Sequence, residues 1–198
     1  MDASKQKRII DAALKEFKEK GFELASTNQI VKQAGIGKGM LFYYFNNKQD
    51  LYLYLMEYCL KVVEEEYFSA IDENEPDLFE RMKQIVVVKM EFLSKYPDAI
   101  NFIGTILLNN QIDENIKSRI ESLHETGYAK IFGKIDSTLF KEGIDIQRAF
   151  NLIRWSIEGY ENELRRRLKG QELNELDYWP YIEEFYSYLD MIRTCFHK

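Results

Sequence analysis

The residues best suited to chemistry lie between Ser26 and Leu51, in the run STNQIVKQAGIGKGMLFYYFNNKQDL. Within it, Lys38 is a cation and Tyr43 and Tyr44 carry phenolic hydroxyls, donors suited to a polyanion. Gly39 adds no side chain between the backbone and whatever approaches it. Ser26 stands where its hydroxyl can cap a helix. Those types, on two short helices separated by a Gly-containing turn, suit the reading of a nucleic-acid groove. Catalytic constellations are missing from the sequence. His124-Glu125 lacks the second histidine of a zinc-binding H-E-x-x-H motif, and His197 is the only other histidine. No phosphate loop, dinucleotide fingerprint or nucleophile elbow occurs, so no enzyme and no cofactor is expected.

The elements that position these residues read as helix almost throughout. Ile9, Ile10, Ala13, Leu14 and Phe17 follow a helical period and stop at Gly21. The spacing predicts a second helix from Ser26 to Gly35, with the Ser26 hydroxyl and Gln29 forming a capping box and Ile30, Val31 and Ala34 buried. A third runs from about Gly37 to Phe45, turning Met40, Leu41 and Phe45 inward. Asn46-Asn47 breaks the chain and caps a fourth helix, with Asp50 at N3. That helix continues to about Ile71, some 24 residues or roughly 36 Å. Further helices are expected over about 77–96, 98–110, 113–142, 146–168 and 178–196, the first of them stopping before Pro97 and the third closed by Gly143. No useful strand alternation appears.

The 198 residues carry a formal charge of −6, which alone argues against nucleic acid. The distribution does not: residues 1–50 hold nine basic and six acidic side chains, the remainder eighteen and twenty-seven. A weakly basic head on an acidic body directs a polyanion to the head. Cys59 and Cys195 cannot build a disulfide framework and suit a reducing cytoplasm. No signal peptide is visible, and no run approaches the roughly 20 apolar residues of a membrane span, so no membrane partner is expected.

Ser26, Ile30, Ala34-Gly35-Ile36, Gly39, Leu41, Tyr44-Phe45, Lys48 and Leu51, in this order and spacing, resemble the head of the TetR family of bacterial transcriptional regulators. The match covers roughly residues 9–52. Two positions depart from the family pattern: Gly37 stands for a serine and Phe42 for a tyrosine. The resemblance implies an all-α fold of about nine helices: a three-helix head over 1–50, joined by a long helix to a ligand-binding and dimerisation domain over 51–198. It implies DNA contacts from Ser26, Thr27, Lys38, Gly39, Phe42, Tyr43 and Tyr44, with Lys48 clamping a phosphate. Phe42 is expected to meet sugar or a thymine methyl.

For the body it implies a homodimer and an effector pocket. Ile153, Ser156, Ile157, Gly159, Tyr160, Tyr181, Phe185, Tyr188, Leu189 and Ile192 are the expected dimer contacts. Phe92, Tyr96, Phe102, Ile106, Tyr128, Phe132 and Trp155 are the expected lining of a site for a small apolar or amphipathic effector, with Asn109 or Glu158 orienting it. The expected function is a cytoplasmic repressor that reads a palindromic operator on double-stranded DNA, its recognition helices about 34–36 Å apart, and that a ligand releases. The alternatives are an activator or ligand-independent DNA-binding factor, and a helical small-molecule or protein-interaction module that does not use DNA.

Overall fold

The computed structural model describes residues 3–107, 113–168, 171 and 176–198. Among them are nine α-helices: α1 Ala3–Leu24, α2 Thr27–Ala34, α3 Lys38–Tyr44, α4 Lys48–Val62, α5 Leu78–Lys95, α6 Pro97–Leu107, α7 Glu114–Phe132, α8 Ile146–Arg167 and α9 Trp179–Phe196. The described residues form no β-sheet; Phe140 and His197 make one isolated bridge. No helix among them is long and apolar enough to cross a membrane. The all-helical expectation holds.

The chain divides into two compact units. The first comprises Met1–Ser69 and Lys95–His124, the second Ala70–Ser94 and Glu125–Lys198. Residues 1–50 lie wholly in the first.

In the first unit the helical periodicity of α1 delivers Ile9, Ala13 and Phe17 to a core shared with Ile30, Ala34, Leu41, Leu51 and Leu55. Phe17, Tyr52 and Phe102 meet edge-on or tilted, with centroids 5.0–6.3 Å apart, so α6 packs into the same core as α1 and α4. Gly21 has φ 67° and ψ 174°, a break that only glycine makes cheaply, and the chain turns there toward α2. Gly35 is left-handed, and Ile36 N–H reaches Val31 O at 3.0 Å while Gly35 N–H reaches Lys32 O at 3.3 Å. This Schellman closure sets the tight turn into α3. After α4 the helix widens into a π-turn over Val63–Tyr67 and a 3₁₀ turn over Phe68–Ala70.

In the second unit Leu78, Phe79 and Met82 of α5 pack with Phe132, Phe140, Ala149, Ile153 and Leu189. Arg81 sits among them with no exposed surface. Its guanidinium donates to Lys130 O at 3.0 Å, Ile131 O at 3.2 Å and Gly133 O at 2.5 Å, and also to Glu73 O and Glu75 O. The arginine thus satisfies the orphan carbonyls at the end of α7. The sequence predicts helix to about residue 142, but α7 stops at Phe132. Gly133 follows in a turn where an added Cβ would lie 2.3 Å from Ala129 O, and Lys134 takes a left-handed φ of 55°. A 3₁₀ turn over Ser137–Leu139, capped by Asp136, then leads toward α8. The chain end is tied down beside it: Lys141 N–H bonds Phe196 O at 2.9 Å and Lys198 N–H bonds Leu139 O at 3.0 Å.

Candidate functional site

The surface of α3 separates cleanly into two faces. Leu41 and Phe45 are buried, and Met40 is half-buried. Lys38, Gly39, Phe42, Tyr43 and Tyr44 are exposed, Tyr43 by 81%. Met40, Leu41 and Phe45 thus turn inward as expected, and Tyr43 and Tyr44 stand outside the core. The two tyrosine rings meet edge-on at 5.0 Å. The Lys38 ammonium lies 5.8 Å from the Phe42 ring centre. Nothing lies within 4 Å of a Cβ placed on Gly39, so the fold itself has no need of glycine there. A cation, two phenols and an aromatic ring therefore stand together on a helix whose other side is anchored in the core.

Two of these residues have partners that the sequence did not foresee. Ser26 is the N-cap residue of α2, but its side chain makes no capping bond. Instead its N–H donates to Glu16 Oε1 at 2.9 Å, and Glu16 is buried. The Lys48 ammonium has partners within the chain. It donates to Phe22 O at 2.7 Å, Glu23 O at 3.1 Å and Ala25 O at 3.3 Å, and lies 4.7 Å over the Phe22 ring. Sequence reasoning missed Glu16, although the signal was available. It falls three residues after Ala13 and four after Ala12, on the apolar stripe of α1, where an unpaired carboxylate is not tolerated. The cap of α4 is as expected: Asn47 Oδ1 accepts from Asp50 N–H at 2.8 Å, and Asn46 Nδ2 donates to Asp50 Oδ2 at 2.7 Å.

The expected effector residues are divided between the two units, Tyr96 and Phe102 in the first and Phe92, Tyr128, Phe132 and Trp155 in the second. Phe102 is fully buried against Phe17 and Tyr52, and Tyr96 packs at the edge of that core. In the second unit Phe92 and Phe132 are buried; Tyr128 stacks on Phe132 at 4.8 Å and is itself exposed. Phe102 and Phe132 each pack against aromatic neighbours in a core. Trp155 is 56% exposed on α8, so it belongs to a surface. Glu158 is exposed and pairs with Arg154 at 3.1 Å. Asn109 and the side chain of Ile106 lie outside the described residues.

The expected dimer residues split by depth. Ile153 and Leu189 are fully buried core, a correction that follows from their contacts with Phe79 and Phe140's cluster. Ile157, Phe185 and Ile192 pack half-buried against the same core. Ser156 and Gly159 are exposed, and so is Tyr188. With them stand Leu152 and Trp155 on α8 and Met191 on α9, at helical steps of three and four. Ser156, Ile157, Tyr160, Phe185, Tyr188, Leu189 and Ile192 line a shallow groove between these helices. Tyr160 Oη donates to Tyr181 O at 2.9 Å and lies 3.2 Å from Glu184 Oε2, which Arg167 holds at 2.6 Å. Burial, then the Glu184 charge, pushes the Tyr160 phenol up to about 12. No cluster of potential metal ligands occurs among the described residues.

Residues 9–55 match the family model described as bacterial regulatory proteins, tetR family. The chain is 29% identical over 168 residues to the fatty acid metabolism regulator protein of Bacillus subtilis, covering 78% of this chain and 82% of that protein. A TetR family transcriptional regulator from Chloroflexus aurantiacus superposes with a TM-score of 0.65 at 20% identity, over 100% of this chain and 95% of that one. FadR of Bacillus subtilis, solved in complex with stearoyl-CoA, gives 0.55 at 20% identity, over 94% and 97%. These two likenesses establish a shared fold.

Proposed function

We propose, from the premise that this chain belongs to the TetR family of bacterial regulatory proteins and is a DNA-binding transcriptional regulator, that it acts as a homodimeric repressor released from a palindromic operator by a small effector in the cytoplasm. The observation that carries this reading is the exposed Lys38, Gly39, Phe42, Tyr43 and Tyr44 face on a core-anchored α3. A seven-residue helix with that face fits end-first into a major groove. Lys38 and the tyrosines supply base-edge and phosphate contacts, Ser26 and Thr27 backbone contacts at the α2 N-terminus, and Gly39 the close approach.

Self-association is supported by the exposed Leu152, Trp155, Tyr188 and Met191. An isologous four-helix contact buries such a patch on both copies at once. An effector with an acyl chain is supported by the relative named for fatty acid metabolism and by the stearoyl-CoA bound to FadR. The effector releases DNA only by preferring the state that binds DNA poorly.

The test is retention of host genomic fragments by the purified protein, sequencing of what is retained, and titration of the recovered duplex with stearoyl-CoA. Recovery of a palindrome bound as a dimer, with log K falling against log[salt] at a slope of roughly −5, is expected, as is release by the acyl-CoA. Weak attachment blind to sequence, with or without acyl-CoA, overturns the reading.

A further inference from the structure

We infer that Arg8, on α1, is a further DNA-contacting residue, its guanidinium meeting a backbone phosphate at the edge of the groove that α3 enters. This rests on the DNA-binding reading above. Arg8 is exposed, while Ile9 and Ile10 beside it are buried and fix this part of α1 in the core. Gly35 shows where its side chain goes. That residue has a left-handed φ of 64°, and a Cβ on it would lie 3.4 Å from Arg8 Nη1. The guanidinium therefore lies against the turn that joins α2 to α3, over a residue with no side chain to hold it off.

The turn does not use up this cation. Val31 O and Lys32 O, which end α2, accept from Ile36 N–H at 3.0 Å and Gly35 N–H at 3.3 Å. Among the described residues no carboxylate or carbonyl takes the N–H groups of Arg8. Every other arginine has an acceptor within the chain. Arg8 thus keeps its full donor set for a partner from outside. Residues 35–37 are Gly-Ile-Gly and bring no side-chain donor of their own, and Lys38 opens α3 directly after them. A helix that enters a major groove by its N-terminal end brings the preceding turn up to the wall of that groove, which is a strand of phosphates. A guanidinium pairs two parallel N–H groups with two phosphate oxygens. Such a contact sets register and reads no base.

The experiment titrates the duplex recovered from genomic fragments with wild type, Arg8→Gln, Arg8→Lys and Lys117→Gln over a range of salt. Arg8→Gln should flatten the slope of log K against log[salt] by about 0.9 for each head and weaken binding about fivefold per head near 0.15 M salt. The loss should be the same on operators of different sequence, and the unfolding temperature should not move. Arg8→Lys keeps the charge and should keep the slope. Lys117→Gln removes the same charge from an exposed side chain of α7 and should change neither slope nor affinity. Phosphate ethylation should interfere with wild-type binding at a position in each half-site that no longer matters to Arg8→Gln. An unchanged slope with a lower unfolding temperature would make Arg8 a brace of the α2–α3 turn and overturn the inference, as would an ethylation pattern identical to that of wild type. A wild-type protein that retains no duplex overturns the DNA reading and this contact with it; tight wild-type binding that Arg8→Gln leaves untouched overturns the contact alone.

Discussion

The Lys38 ammonium lies 5.8 Å from the centre of the Phe42 ring, one turn along the exposed face of α3. At an exposed site such a contact is worth only about 0.5–1 kcal/mol. That is enough to bias the rotamer of a free lysine, and too little to hold it against a guanine. Lys38→Ala should therefore leave thermal unfolding unchanged and cost about 1–3 kcal/mol of specific DNA affinity, relaxing preference at one base pair of each half-site. Binding to single-substitution operator duplexes checks this. Equal loss on every duplex would reassign Lys38 to phosphate.

Gly39 offers a test in which stability and binding move in opposite directions. It lies inside α3 with helical backbone and open space around the missing Cβ. Gly39→Ala should stabilise the head by about 0.5–1 kcal/mol, since glycine is the poorer helix former. If backbone approaches DNA there, the added methyl should weaken operator binding. Chemical unfolding and duplex titration on one preparation measure both. A variant that is both more stable and equally tight would remove Gly39 from the interface.

What the sequence made legible follows a pattern. Local rules succeeded: the left-handed Gly35, the Asn47–Asp50 cap and the inward Leu41 and Phe45 depend on neighbours a few residues away. Failures involve partners distant in the chain. The Ser26 N–H, expected to meet Gln29, donates instead to Glu16, ten residues earlier. Lys48 was taken up by carbonyls more than twenty residues back. The end of α7 is held by Arg81, some fifty residues upstream. Trp155 and Ile153, two apart on one helix, were assigned to pocket and interface, whereas they face surface and core. A 3.6-residue period identifies an apolar stripe but not which side of it is covered.

Arg81 closes the second unit through backbone carbonyls. Burial pulls its pKa below the ordinary arginine value, and Glu75, Glu73 and Asp72 oppose that. Arg81→Met keeps much of the volume but abandons the carbonyls of residues 130, 131 and 133. The expected loss is about 3 kcal/mol or more, given a penalty of about 1–3 kcal/mol per unsatisfied buried group. Urea unfolding followed at this unit's tryptophans would register it. An unchanged midpoint would mean that water replaces the guanidinium without penalty.

The two thiols should separate by reactivity. Cys59 is fully buried, and burial pushes its thiol up to about 12, so at pH 8 almost none is thiolate. Cys195 is exposed. One equivalent of thiol should react promptly with an aromatic disulfide reagent, and the second only at the rate of unfolding. Raising the pH to 9 should not release the second, because the Cys59 thiol remains protonated there. Two fast equivalents would show that the first core opens locally.

The exposed face of α8 and α9 carries the last prediction. Trp155 and Met191 are 56% and 62% exposed, so neither contributes much to the fold of a single chain. In a two-fold contact every substitution counts twice, and a carboxylate opposite its own copy is both desolvated and repelled. Trp155→Glu should therefore convert a dimer to a monomer at micromolar concentration by light scattering, without lowering the unfolding midpoint of the monomer. Operator affinity should fall with it, because a single head makes half the contacts and releases half the counterions, halving the salt slope. If Trp155→Glu stays dimeric, the apolar face serves something other than self-association. If it turns monomeric yet keeps the full slope, DNA assembles the two heads without help from the body.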